Sequence, residues 1–467
     1  MGKEIDTAMT YHHHTRSPGV SQAAARRRRR WAVGLAGMTG LALTTAGLTP
    51  APANANVDAN AVERPHTTTG NHLEKADQSP TNNHRGNSKD SKGKEAEKPK
   101  GTPVPCDADA LIAAITLANA RGGATLDLAS KCTYLLTADI DGAGLPAITT
   151  PITLNGGTHT TIERAAAADE FRILTVNTGG DLTLNKLTIT GGQTGMFDDG
   201  GGILVNSGGA LTTNHSTITR NITDSDGGGI AGDGTIHVKH STISHNIAGN
   251  AGAGINSTGL LDINKSDVEY NTAAADGGGL VNFGTVRIAH STITANHAQG
   301  GNVGGLLVNG IGTVTDTHIS HNSGLEIGGI ATGTAAQLTL RAVTIVENTA
   351  RTGRAGGLGT GPTSPVVIEG STIANNTAST AGGGIFNFGD LVVRDTKITG
   401  NQADIGAGIY NDETTTLFNT KVVKNVAITD GGGITNVAGT VELNTATGTV
   451  VIKNRPNNCV DVPGCAG

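Results

Sequence analysis

The sequence predicts an all-β chain wound into a parallel β-helix (a β-solenoid) of about 25 residues per coil, with an N-terminal capping helix. Two recurring elements and one exception carry that prediction. A Gly-Gly-Gly-hydrophobic element recurs with its apolar residue at Ile203, Ile230, Ile255, Leu280, Leu306, Ile330, Leu358, Ile385, Ile409 and Ile434. A Ser-Thr-Ile-x-x-Asn element keeps the same beat, with its Asn at Asn221, Asn246, Asn271, Asn296, Asn322, Asn348, Asn376, Asn401 and Asn425. A fixed period of this length marks a solenoid, in which each repeat buries its apolar face only against its neighbours. The exception is Cys106–Arg121, the one convincing helical stretch between the N-terminal leader and the repeats.

One coil is represented by Asp276–Asn296, DGGGLVNFGTVRIAHSTITAN. Its apolar residues Leu280, Val286, Ile288 and Ile293 alternate with polar ones over short runs rich in Val, Ile and Thr, which reads as three half-buried strands. No window among the repeats offers the i, i+3, i+4 stripe of a helix. Gly and Asn between the strands supply positive φ at corners. Three strands and three corners per coil, repeated ten to twelve times, predict a rod of roughly 50 Å, given strands stacked about 4.8 Å apart. Identical residues then lie above one another, and the nine asparagines form a ladder.

In chain order, residues 1–55 read as an export signal. Arg26–Arg30 is the basic region, Trp31–Leu48 the apolar region, and Ala53-Asn54-Ala55 a small-residue cleavage site. The alternative, a membrane anchor, is disfavoured by the many Gly, Ala and Thr residues of the apolar run. Arg28-Arg29-Arg30-Trp31 is similar to a twin-arginine signal, and the export route stays open between the two pathways. His12–His14 is too short to be a metal site. Residues 56–103 lack hydrophobic periodicity and read as a disordered linker. The β-helix domain is expected over 104–467. Within Cys106–Arg121, Asp107 or Asp109 serves as N-cap, Leu111, Ile112 and Ile115 share a face, and Gly122-Gly123 ends the helix. Such a helix is suited to cover the open end of the first coil. Irregular strands are expected at Thr125–Leu128, Thr133–Thr137 and Ile148–Leu154 before the period settles near Leu182–Ile189.

Composition restricts the function classes. The chain has 467 residues, 69 of them Gly, and only 2% aromatic residues; the register of the glycines argues for order rather than low complexity. The segment before Asn56 carries 7 Lys+Arg and 2 Asp+Glu, which leaves 26 against 37 and a net charge of −11 for the remainder. An acidic body with no basic block argues against nucleic acid as a partner. Four cysteines sit as two local pairs, Cys106 with Cys132 and Cys459 with Cys465. Three connectivities are possible, and local pairing is expected because a rod keeps its ends apart.

Candidate chemistry is sparse. Asp199, Asp226, Asp276 and Asp430 precede the Gly-Gly-Gly corner, with Asp198 and Asp224 nearby. Adjacent coils bring Asp199 and Asp226 about 5 Å apart, so Asp198, Asp199 and Asp226 are the candidate catalytic carboxylates of a glycosidase, or ligands for Ca²⁺. Asp-Gly is also ordinary turn chemistry, the preferred reading because Ala251 and Ala381 break the column. A lyase would further need a basic residue; Arg220 and Arg287 are candidates that no motif ties to the acids. His215, His240, Lys265 and His290 form a second column, in which Lys265 argues against a transition metal. Thr217, Thr242, Thr292 and Thr372 suggest a flat ice-binding ladder, broken by Asp267, His318 and Lys397. Aromatic sugar platforms are wanting: Trp31 lies in the leader, and Phe283 and Phe388 occupy Asn-Phe-Gly corners suited to stacking between coils. No cofactor is expected.

From Val104 to Gly467 the chain resembles the secreted right-handed parallel β-helix repeat proteins of actinobacteria, a pectate-lyase-like architecture. The resemblance rests on Leu111-Ile112-Ala113-Ala114-Ile115 with Ala118-Asn119, on Lys131-Cys132-Thr133-Tyr134, on Leu145-Pro146-Ala147-Ile148, on Leu182-Thr183-Leu184-Asn185, and on the ending Asn454-Arg455-Pro456-Asn457-Asn458-Cys459. The Gly-Gly-Gly-Ile and x-x-Asn repeats also look like chlamydial polymorphic outer-membrane protein repeats, associated with adhesion, without the C-terminal membrane barrel of those proteins. The resemblance implies a right-handed winding and little about activity. The expectation is a secreted or cell-surface monomer, without a membrane span once the signal is removed. It is expected to be non-catalytic and to present a repetitive face to an extracellular glycan or surface protein. The alternative is a polysaccharide lyase or glycoside hydrolase.

Overall fold

The computed structural model describes residues 101–466. The expected export signal and nearly all of the expected linker lie outside the described residues. The described chain is a parallel β-solenoid, and each regular coil contributes four strands rather than the expected three. In the coil that begins at Leu280 these are Leu280–Asn282, Thr285–Ala289, Thr292–Thr294 and His297–Ala298. They belong to four sheets of 12, 14, 13 and 10 strands, called here the glycine face, the broad face, the threonine face and the short face. The two-residue strands of the short face are too brief to show an alternation of period 2, which is why sequence pattern alone misses them. Strands pair in parallel with the equivalent strand one coil on, so Leu280 lies against Leu306, Thr285 against Ile311 and Ile293 against Ile319. The fourteen strands of the broad face make a rod of roughly 60 Å at the usual strand spacing.

Register follows from what points inward. Leu280, Val286, Ile288 and Ile293 are at most 1% exposed, and their equivalents in other coils continue a single apolar column along the axis. A slip of one residue would expose all of them, so the alternation itself pins the pairing. The triple glycine has three distinct reasons. Gly277 sits at φ +65°, which favours glycine. A Cβ at Gly278 would lie 2.5 Å from the carbonyl carbon of His297, and one at Gly279 would lie 2.7 Å from the Gly305 oxygen and 3.0 Å from the Asn296 amide. The glycines let successive coils and the asparagine column approach.

The asparagine ladder is present and longer than the period predicts. Asn271 Nδ2 donates to Asn296 Oδ1 at 3.0 Å and to the Ile243 carbonyl at 2.9 Å, while Asn271 N donates to the same Asn296 Oδ1 at 3.1 Å. All nine rungs are fully buried. A tenth, Asn454, accepts from both Asn425 N and Asn425 Nδ2. A second ladder runs through the serine of Ser-Thr-Ile: Ser216 N donates to Ser241 Oγ, Ser241 N to Ser266 Oγ, and Ser266 N to Ser291 Oγ, at 3.1–3.2 Å. A third, short one links Asn387, Asn411 and Asn436 inside the glycine face.

The N-terminal end is closed as expected. A helix, α1 (Ala108–Arg121), is capped by Asp107, whose carboxylate accepts from Ala110 N, and ends at Gly122 in the left-handed region. Leu111, Ile115 and Ala118 are buried on the first coils. Asn119 fastens the helix by donating to the Ala147 carbonyl and accepting from Thr149 N. Tyr134 donates to the Val104 carbonyl and accepts from Ala129 N, joining the first strands beneath it. The disulfides are the local pairs Cys106–Cys132 and Cys459–Cys465. Among the described residues no helix is long and apolar enough to cross a membrane.

Candidate functional site

The candidate carboxylates stand on the corner between the short face and the glycine face. Each coil turns there through the residue before its glycines, and the turn leaves a backbone N–H pointing at the preceding coil. Asp199, Asp226 and Asp276 answer those amides, and Asp430 takes a side-chain amide instead. Asp199 Oδ1 accepts from Asp226 N at 3.1 Å and from Ser225 Oγ at 2.6 Å. Asp226 Oδ1 accepts from Ala251 N and Asn250 Nδ2, both at 2.8 Å. Asp276 Oδ1 accepts from Asn302 N at 2.5 Å, and Asp430 Oδ1 from Asn457 Nδ2 at 2.6 Å. The column is therefore a set of side-chain caps, each tied to the coil that follows, as Asp in turns favours.

Of the three candidate carboxylates, stacking brings Asp199 against Asp226, whose backbone N–H it accepts. Burial pushes the Asp226 carboxyl above its ordinary value; the Asp199 charge adds to this, and the Ala251 amide and Asn250 side chain oppose it. Asp198 differs from both: its side chain is 69% exposed.

The basic group beside these acids is neither Arg220 nor Arg287. It is Arg172, which lies just before the strand Leu174–Val176 and ahead of the regular repeats. Its Nη2 is 3.8 Å from Asp198 Oδ1 and donates to the Asp199 carbonyl at 3.1 Å, while Nη1 donates to the Gly142 carbonyl. Arg172 Nε is buried without a partner. Burial lowers the guanidinium's pKa, and Asp198, Asp199 and Asp139 pull it back up. Only the residue's isolation from the repeats hides it in the sequence, since no period points to it.

The second column keeps its expected order. His215 and His240 stack with ring centroids 4.8 Å apart and planes 3° from parallel. Lys265 follows, then His290, whose Nδ1 lies 3.7 Å from Asp316 Oδ2. Parallel rings aim their nitrogens alike rather than toward a common point. Among the described residues no three His, Cys, Asp or Glu side chains converge as a metal site would require. The threonine column is interrupted at Asp267, His318 and Lys397, which pair in register with Thr292, Thr344 and Thr372. The aromatic expectation needs correction. Phe283 is 53% exposed, and stacking between coils is found instead for Phe386 with Tyr410, ring centroids 4.9 Å apart, with the Arg354 guanidinium 4.9 Å from the Phe386 centroid, and for His245 with Tyr270 at 5.2 Å.

No family model matches the chain, and no curated protein or solved structure matches it either. The parallel β-solenoid thus stands on the chain's own geometry.

Proposed function

We propose that this chain is an exported, non-catalytic β-solenoid that presents a repetitive surface for adhesion or for contact with extracellular matrix or cell wall. The observation that carries this reading is the use of the candidate carboxylates. Asp199, Asp226, Asp276 and Asp430 each place a carboxylate oxygen on a hydrogen-bond donor of the next coil. A group held as a structural acceptor is poorly placed to move a proton in a reaction. Two disulfides suit an oxidising compartment and so support export. The test is purified protein on a panel of extracellular glycans and matrix proteins, run beside assays for polysaccharide cleavage. Retention by the panel without turnover is expected; turnover with no retention would overturn the reading.

A polysaccharide lyase or hydrolase remains the second reading, favoured by one observation: Arg172, a buried cation beside Asp198 and Asp199. It predicts that Asp226→Ala abolishes cleavage of an acidic polysaccharide while the fold persists.

A further inference from the structure

The corner between the broad and threonine faces carries, in five successive coils, Lys186, His215, His240, Lys265 and His290. All five are exposed. All five also occupy the left-handed region, with φ between 48° and 54°, where Gly or Asn would normally be favoured. Gly370 holds the equivalent corner further along, just before Ser371 of its Ser-Thr-Ile. Directly after each of the middle three comes the serine of the buried hydroxyl ladder, which locks the corner backbone to its neighbours. The result is a rigid ridge with one nitrogen-bearing side chain per coil, at the 4.8 Å spacing measured between the His215 and His240 rings.

The ridge is flanked by two polar lines. On the broad face Asn155, Asn185 and Asn214 are joined amide to amide at 2.9–3.0 Å, and Lys239 continues their column. On the threonine face Thr188, Thr217, Thr242 and Thr292 present hydroxyls. The facing charges are of both signs. His237 is paired with Asp262 at 3.4 Å, with Arg287 beyond it in register. Asp267 interrupts the threonine line, Glu269 stands two residues further along the same strand, and Asp316 closes the ridge below His290.

Resting on the reading of a non-catalytic contact surface, we propose that this ridge binds a linear anionic glycan lengthwise, one acidic group per coil. Lysine and imidazole nitrogens meet the anions, while the Asn and Thr lines receive the sugar hydroxyls. A sugar repeat advances its chain by roughly the distance between coils, so one bound residue fixes the register of the next. An overall acidic rod attracts no polyanion in general, so the charges of this ridge have to supply the contact. Asp267 works against it.

The test uses the full chain in direct binding measurements with size-matched carboxylated, sulfated and neutral oligosaccharides at several salt concentrations. Both anionic series are expected to bind, and the neutral one is not. The double substitution Lys186→Gln/Lys265→Gln is expected to lower affinity by about tenfold and to flatten the salt dependence by about two ions, while Lys186→Arg/Lys265→Arg keeps both. Asp267→Asn is expected to tighten binding, and circular dichroism is expected to be the same for all variants. Equal binding of neutral and anionic chains, unchanged binding by the double Gln variant, or no glycan binding beside retention by a matrix protein would each overturn the ridge and leave the contact-surface reading standing. Cleavage of the oligosaccharides would overturn that reading instead.

Discussion

The inner asparagine column and the outer aspartate column climb the same rod at the same rise, yet one is unbroken and the other is patchy. Asn221 to Asn425 recur in every coil, each rung fully buried. The outer column changes from Asp226 to Ala251 and back to Asp276 within three coils. Both columns do similar work: the asparagines, and Asp199, Asp226 and Asp276, supply an acceptor to a backbone amide of the neighbouring coil. The difference is water. An amide that loses its partner at the surface hydrates, whereas one inside the rod stays unmet at full cost. Burial, not the hydrogen bond itself, enforces identity.

The strongest way to break the contrast is Asn296→Ala. It strips the acceptor from Asn271 N and Nδ2 and the donor from the Val268 carbonyl, all buried. A loss of about 3–5 kcal/mol is expected, read as a lower urea midpoint. An intermediate case is Ser266→Ala, which removes the acceptor of Ser241 N in the hydroxyl ladder. Its cost is expected near 1–2 kcal/mol by the same measurement. Asp226→Asn sharpens the comparison from outside and has the opposite sign. Because burial raises the Asp226 pKa in the fold, its protonated form favours the folded state. That stabilisation is complete below the ordinary carboxylate range and is lost as pH rises through the raised value. The Asn variant keeps an oxygen for Ala251 N and carries no charge. It is expected to be slightly more stable than the parent at neutral pH, by less than about 1 kcal/mol, and equal to it in acid. A variant that is less stable at neutral pH would show that the ionised carboxylate is needed.

This contrast also explains what could be read in advance. The nine asparagines and the Gly-Gly-Gly-hydrophobic residues announce the solenoid because buried, stacked positions repeat, the asparagines without variation and the apolar residues as Ile or Leu. The helix lid and the cysteine pairs were legible from local patterns: an N-cap at Asp107, a stop at Gly122, and even cysteines at the two ends of a rod. Asn454 was not legible, because it follows Asn425 by 29 residues, outside the beat. The fourth strand was hidden by its length, as Ile247–Ala248 illustrates. The hydroxyl ladder has no sequence signal of its own, because serine beside threonine reads as surface, although Ser241 and Ser266 are 3% and 2% exposed. At the acid corner the spacing marks the aspartates but not their partner. Arg172 reaches them from a coil that precedes the regular pattern, and its place depends on folding rather than on spacing.

The in-register stacking of Leu280 on Leu306 and of Asn271 on Asn296 makes neighbouring coils interchangeable at their seams. Excision of Ile247 through Asn271 would join Asn246 directly to Thr272, and the buried asparagine, serine and apolar columns would still meet the partner type they meet now, whereas His237 would exchange Asp262 for Arg287. Such a molecule is a ruler graduated in single turns: its length can be edited by whole units without redesigning either terminus, and each unit removed shortens any lengthwise-bound strand by one subunit.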